Sequence, residues 1–293
     1  MKTKKLMGMV AVGCVLIAIL GVLGMGSGSN RAAPVGTSQS PELSKAVKAI
    51  KARQGRAESL HVSWSVALQE LRKPADGPPI EEWVPVDRTS TQNHEMWIQG
   101  STLRFELNRS SGKTSLVITP QEKRVRHVNT QQGENRVGGH VTSASAGYYG
   151  AQATSMLPIT CAYRLVDPTI GLTPADSLTL LRETTYNGHP CLVVQGATNS
   201  VDPSSHYVLW LARDQDYVPL RCEYRAAGEV MDKVVDMEYT HREGVGWVLQ
   251  SWKQIDMENG KKISVSTVDT VQAEFNTSIP ADRFRLTVPE ESR

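Results

Sequence analysis

Met231–Phe275 reads MDKVVDMEYTHREGVGWVLQSWKQIDMENGKKISVSTVDTVQAEF, and its alternation decides the fold. Val235, Met237 and Tyr239 alternate with Asp236 and Glu238. Apolar residues at a period of two mark a half-buried strand. Glu243-Gly244-Val245-Gly246 and Glu258-Asn259-Gly260-Lys261 cut the stretch into three runs, Met231–Tyr239, Trp247–Met257 and Ile263–Phe275. Asn-Gly between alternating runs is a strong hairpin signal.

The same rhythm extends towards the N-terminus. Cys191–Gln195, Tyr207–Ala212 and Val218–Arg225 are separated by polar segments that include Arg213-Asp214-Gln215-Asp216, and Ala227-Gly228-Glu229 precedes Met231. Val62, Trp64, Val66 and Leu68 alternate with His61, Ser63, Ser65 and Ala67, and Leu103, Phe105 and Leu107 alternate with Arg104 and Glu106. Ser115–Thr119 and Arg124–Val128 complete an antiparallel meander of about ten or eleven strands.

Two helices are expected. In Pro41–Arg56, Leu43, Ala46, Val47 and Ile50 recur at spacings of three and four, opposite Lys45, Lys48, Lys51 and Arg53. Such a stripe packs on its own domain or rests on anionic lipid. A second helix is expected at Pro174–Arg182, where Leu178, Leu180 and Leu181 follow Thr173 as a cap. The fold class is α+β, mostly antiparallel β. An open, incomplete barrel of this many strands, with one or two helices as cover, leaves apolar area on its concave face. Val62, Trp64, Val66, Leu103, Phe105, Leu107, Val235, Met237 and Tyr239 are the candidate ligand-binding residues of that face, and core packing against the helix is the competing account.

Two stretches break the rhythm. Pro74–Asn93 contains Pro78-Pro79 and Trp83, and Asn129–Ser155 is rich in Gly, Ser, Ala, Thr and Gln around Tyr148 and Tyr149. Long structureless stretches are disordered or functional, and Tyr148 and Tyr149 are candidate lid residues.

The chain begins with Lys2, Lys4 and Lys5, followed by an uncharged apolar run from Leu6 to Met25. This is a secretory signal peptide or an uncleaved signal-anchor, because about 20 residues at 1.5 Å rise can cross a hydrocarbon core. The lysines keep the N-terminus cytoplasmic and export the rest. Residues 1–26 are the leader, 27–40 a Gly/Ser/Pro-rich flexible linker, and 41–293 the β-rich domain. The expected location is the cell envelope, on the outer (periplasmic) side of the cytoplasmic membrane.

Without the three leader lysines, basic and acidic residues balance to within one charge, so nothing attracts a nucleic acid. Cys161, Cys191 and Cys222 allow at most one internal disulfide. Cys161 with Cys191 is the favoured bridge if one forms, and buried free thiols are the alternative. The seven histidines have no metal-ligand spacing. Gly112-Lys113-Thr114 lacks the leading glycine of a phosphate loop, and neither a Gly-x-Ser-x-Gly elbow nor a His-Glu-x-x-His pair is present. No catalytic residue, metal site or cofactor is nominated, and the expectation is a non-enzymatic protein.

Tyr207-Val208-Leu209-Trp210-Leu211-Ala212-Arg213-Asp214 followed by Val218-Pro219-Leu220-Arg221, and Ile279-Pro280-Ala281-Asp282-Arg283-Phe284 through Val288-Pro289, are two phrases that, with the leader and the Pro41–Arg56 helix, resemble the lipoprotein-carrier superfamily. That superfamily is typified by LolA and LolB and includes LppX-like carriers and the envelope sensor RseB. The resemblance covers about residues 41–289 by pattern, and the 129–155 segment departs from it. It implies an incomplete barrel closed by a helix, with acyl chains held in the concavity. The expected partners are a lipid or acylated protein and, through the N-terminal segment, a membrane. The alternative is an RseB-like sensor or structural protein that binds an envelope protein through its sheet.

Overall fold

The computed structural model describes residues 40–72, 84–110, 112–119, 124–131, 137–143, 156–168, 170–198, 204–226, 230–258 and 260–287. The leader, residues 27–39 of the linker, Trp83, Tyr148 and Tyr149 lie outside them. No helix among the described residues is long and apolar enough to cross a membrane.

Helix α1, Pro41–Arg56, starts where the chain chemistry places it. The Ser40 hydroxyl accepts the Leu43 amide at 3.1 Å, and Pro41 occupies the first turn, where its missing N–H costs nothing. Leu43, Ala46 and Ile50 are buried on one side, so the stripe faces the domain core, while Lys45, Lys48 and Lys51 face solvent.

Among the described residues fourteen strands follow: β1 Ser59–Arg72, β2 Val84–Gln99, β3 Thr102–Arg109, β4 Gly112–Thr119, β5 Arg124–Gln131, β6 Val137–Ser143, β7 Thr179–Tyr186, β8 His189–Ala197, β9 His206–Ala212, β10 Val218–Arg225, β11 Met231–Arg242, β12 Gly246–Glu258, β13 Lys261–Val268 and β14 Val271–Phe275. They form one antiparallel sheet in the order β6-β5-β4-β3-β2-β1-β13-β12-β11-β10-β9-β8-β7, with β14 added to β1. Among the described residues no pairing joins β6 to β7, so the barrel is open. The fold class is as expected, with four strands beyond the ten alternating runs. These are β2, β6, β7 and the β13/β14 division, created where the chain leaves β1 after Thr267 and rejoins it at Val271.

The second expected helix is not formed. Ala175–Ser177 makes one 3-10 turn, after which the chain enters β7 and reaches β8 through Asn187-Gly188. Both turn residues have positive φ, 50° and 84°, the conformation that a two-residue hairpin of this twist requires. The helix that does form is α2, Leu157–Tyr163. All seven of its residues are buried, so it has no polar face to reveal it by period. The two irregular stretches also hold more order than expected: β2 begins at Val84 within the first, and β5 and β6 carry pairing into the second as far as Ser143. Residues 73–83 and 144–155 lie outside the described set.

A smaller core cluster lies on the other face of β8–β10, and the larger one occupies the side of the sheet facing the helices. His94 of β2 is 1% exposed there, with ring centroids 5.2 Å from Trp64 and 5.6 Å from Phe105. Burial first, and the Arg109 charge second, lower its pKa from 6.5 to about 4. Between those values the unfolded chain binds a proton that the folded chain refuses. Stability is therefore complete above pH 6.5 and falls on acidification by an amount on the order of 2–3 kcal/mol at pH 4. Urea melts of His94→Gln between pH 7 and pH 4 should lose that part of the slope; an unchanged slope would contradict it.

Gly171 is tightly enclosed, because a Cβ there would strike the backbone of Asp167 and Arg164, whereas a Cβ on Gly55 in α1 would meet open space. Gly171→Ala should destabilise by about 1–3 kcal/mol, and Gly55→Ala should stabilise by up to about 1 kcal/mol. Thermal unfolding checks the opposite signs.

Candidate functional site

Eight of the nine nominated residues, Val62, Trp64, Val66, Leu103, Phe105, Leu107, Val235 and Met237, lie on the helix-facing side of the sheet and are between 0% and 5% exposed. Tyr239 is partly buried against the same cluster. Cross-strand register sets the group: Val62 opposes Met96, which opposes Phe105; Trp64 opposes His94, which opposes Leu107; Met237 opposes Trp252. The β1–β3 and β11 groups meet through Trp252, whose ring lies 5.7 Å from Trp64. The apolar face is continuous.

It is also covered. Leu43, Ala46 and Ile50 of α1, together with α2, Leu165, Val166, Ile170 and Leu172, pack into the same cluster as the strand side chains. Surface cavities of about 510 Å³ beside Val47, Lys51 and Pro174, about 440 Å³ at the β13/β14 break, and about 430 Å³ beside Gln54 and Arg164 lie elsewhere. Of the nine residues only Trp64 touches one of them.

Polar groups under the helices tie the cover down. Arg53 of α1 is buried, donating from Nε to the Ala162 carbonyl at 3.2 Å and from Nη1 to the Asp216 carbonyl at 2.8 Å. Its Nη2 has no partner, and burial lowers its pKa. Arg164, just after α2, donates to the carbonyls of Tyr163 and Ala57. The Tyr163 hydroxyl accepts the Leu249 amide at 2.9 Å, and burial raises its pKa.

The three described cysteines are free and buried. Cys191 belongs to a separate cluster with Val193 and Trp210, while Cys161 and Cys222 share the helix-side core. This corrects the preference for Cys161 with Cys191. Alternation turns Cys191 to the other face of β8, whereas Cys222 points towards α2, and its thiol is raised by a hydrogen bond with Cys161 and by burial. Near Cys191, His189 Nδ1 lies 2.9 Å from Asp214 Oδ2, but the Cys191 thiol donates to the His189 backbone carbonyl, and burial raises its pKa. That is the environment of a packed thiol, not of an activated nucleophile.

Apolar alternation does not disclose the polar part of this face. Ser264, Asp256 and Lys233 occupy helix-side positions in register across β13, β12 and β11, and Gln254 of β12 lies in the adjacent row between Ser266 and Val235. A signal for them is present in the sequence, because Lys233 precedes Val235 and Met237 by two and four positions in the same strand.

A family model described as an uncharacterized protein matches residues 170–288. No curated protein matches the chain in sequence. Among solved structures, a LolA superfamily protein from Nitrosomonas europaea is similar at TM-score 0.50 and 11% identity, over 83% of this chain and 98% of that one. A putative outer membrane lipoprotein-sorting protein domain from Vibrio parahaemolyticus is similar at TM-score 0.48 and 12% identity, over 83% and 97%. With its open antiparallel sheet wrapped on one side by helices, the chain shares the fold of the Nitrosomonas europaea LolA superfamily protein.

Proposed function

We propose that this is a non-enzymatic envelope protein that takes a lipid or lipoprotein acyl chain onto the apolar face of its open sheet. The observation that carries the reading is the continuity of that face across β1–β3 and β11–β12 in a sheet that does not close. An acyl chain needs apolar surface and no polar anchor along its length, since each buried methylene contributes about 0.8 kcal/mol. The LolA-superfamily fold supports the same reading, because it turns one apolar side of an unclosed sheet towards a cover of helices.

The covered state of the face shapes the energetics. A guest exchanges contacts between the protein's own side chains for contacts with itself, so the net gain is a difference and not the full transfer energy. Binding of this kind is moderate in strength and reversible, as handing a lipid onward requires. The leader and linker then place the domain on the outer side of the cytoplasmic membrane, anchored or released.

Full-length protein extracted into organic solvent should yield acyl lipid near one equivalent by mass spectrometry. A fatty acid brominated along its chain should quench tryptophan fluorescence, and Trp64→Phe should reduce the quenching because Trp64 and Trp252 sit together on the face. Protein that carries no lipid and ignores the brominated chain would exclude the reading; a stoichiometric co-purifying protein in its place would favour partner binding through the sheet.

A further inference from the structure

The helix-facing side of the sheet is not apolar throughout. Following the register from Trp252 and Met237 towards the β12–β13 turn, the next row across the strands is Ser266, Gln254, Val235, Cys222 and Leu209. The row after it is Ser264, Asp256, Lys233, Tyr224 and Tyr207. The apolar band therefore ends in a polar rim on the same face.

The rim is internally balanced except at one atom. Asp256 Oδ1 accepts the Gln254 amide nitrogen at 3.0 Å and lies 3.4 Å from Lys233 Nζ, while Oδ2 accepts the Ser264 hydroxyl at 2.6 Å. One cation faces one carboxylate, so the rim offers no net charge to an ionic headgroup. A carboxylate oxygen at 3.0 Å must receive a donor, which fixes the Gln254 amide with its nitrogen towards Asp256 and its oxygen away. That oxygen is buried and has no partner, in a residue that is 5% exposed. Buried acceptors left unmet cost the folded state, so such an atom is kept where something supplies a donor.

We infer that this rim reads the head of the bound lipid: Gln254 Oε1 accepts a hydrogen bond from an uncharged head that carries an O–H or N–H, as in a glyceryl ester or an N-acyl amide. The inference rests on the acyl-binding reading above. The chain of the guest lies along the apolar rows, and its neutral polar end meets Gln254. Charged heads gain nothing, because Lys233 and Asp256 already satisfy each other.

The test uses full-length protein in amphipol, offered an equimolar mixture of a monoacylglycerol and the methyl ester of the same fatty acid, with the N-methylamide of that acid, whose one donor is its N–H, replacing the monoacylglycerol in a second arm. Bound lipid is extracted and counted by mass spectrometry. One hydrogen bond should enrich the donor-bearing lipid about 3- to 10-fold over the methyl ester. Comparing the two arms tells a glyceryl hydroxyl from an amide head. Gln254→Leu should bring the ratio to about 1 with total lipid unchanged. Gln254→Met serves if the leucine variant does not fold, and Ser251→Ala, on the opposite face of β12, should keep the wild-type ratio. Equal uptake of both lipids by wild type, or a preference that survives both Gln254 variants, would overturn the inference while leaving acyl binding intact. Uptake of neither lipid would overturn both.

Discussion

A sheet that does not close must still remove one apolar face from water, and the arrangement of this molecule follows from that requirement. Alternation along β1 sends Leu60, Val62, Trp64 and Val66 to one side, and the partners on β2 and β14 reinforce the same side. A closed barrel would bury that face against itself. Here α1 and α2 do it, and they are joined to each other by guanidinium groups. Arg53 reaches the Ala162 carbonyl and Arg164 reaches the Ala57 carbonyl. Carbonyl oxygens satisfy donors but do not cancel charge, so each buried cation is costly to place and more costly to strand. Separating the two helices would strand both guanidinium groups.

The parts legible in the sequence are those in which one face is wet. α1 declared itself through Leu43, Ala46 and Ile50 set against three exposed lysines, and the later hairpins through Gly244, Gly246 and Gly260, whose positive φ values the turns require. The parts that escaped lack such contrast. α2 is buried all round, so its residues show no period. β7 carries Leu180 and Leu181 in succession beside a register shift, which imitates a helical stripe. Asn187-Gly188, two residues before a new alternating run, was the signal that should have outweighed it.

The candidate site shows a similar split. Placing the nine apolar residues on one face needed only the period of two, and the fold assembled them because a one-residue slip in any strand would have turned its set outward. That the face is covered could not be read from the strands, since cover is a property of α2 and of the segment after it. The cysteines illustrate the same limit. Cys191 and Cys222 lie on β8 and β10, the strands on either side of β9, but which of the two faces α2 depends on the side from which that helix approaches.

On the proposed reading, one face would serve both as core and as a guest's seat, and that imposes a trade. Packing it fully against α1 and α2 stabilises the empty protein, and every contact so made must be given up to a ligand. Weak packing would bind guests tightly but expose apolar surface whenever the seat is empty, with the aggregation that open sheet edges already invite. Polar groups resolve part of this conflict, because a hydrogen-bond acceptor sunk at the rim adds selectivity for the right guest without enlarging the greasy area. Gln254, held in orientation by Asp256, stands at the point where the apolar rows end. Specificity can therefore be set at one end of the seat while reversibility is set along its length.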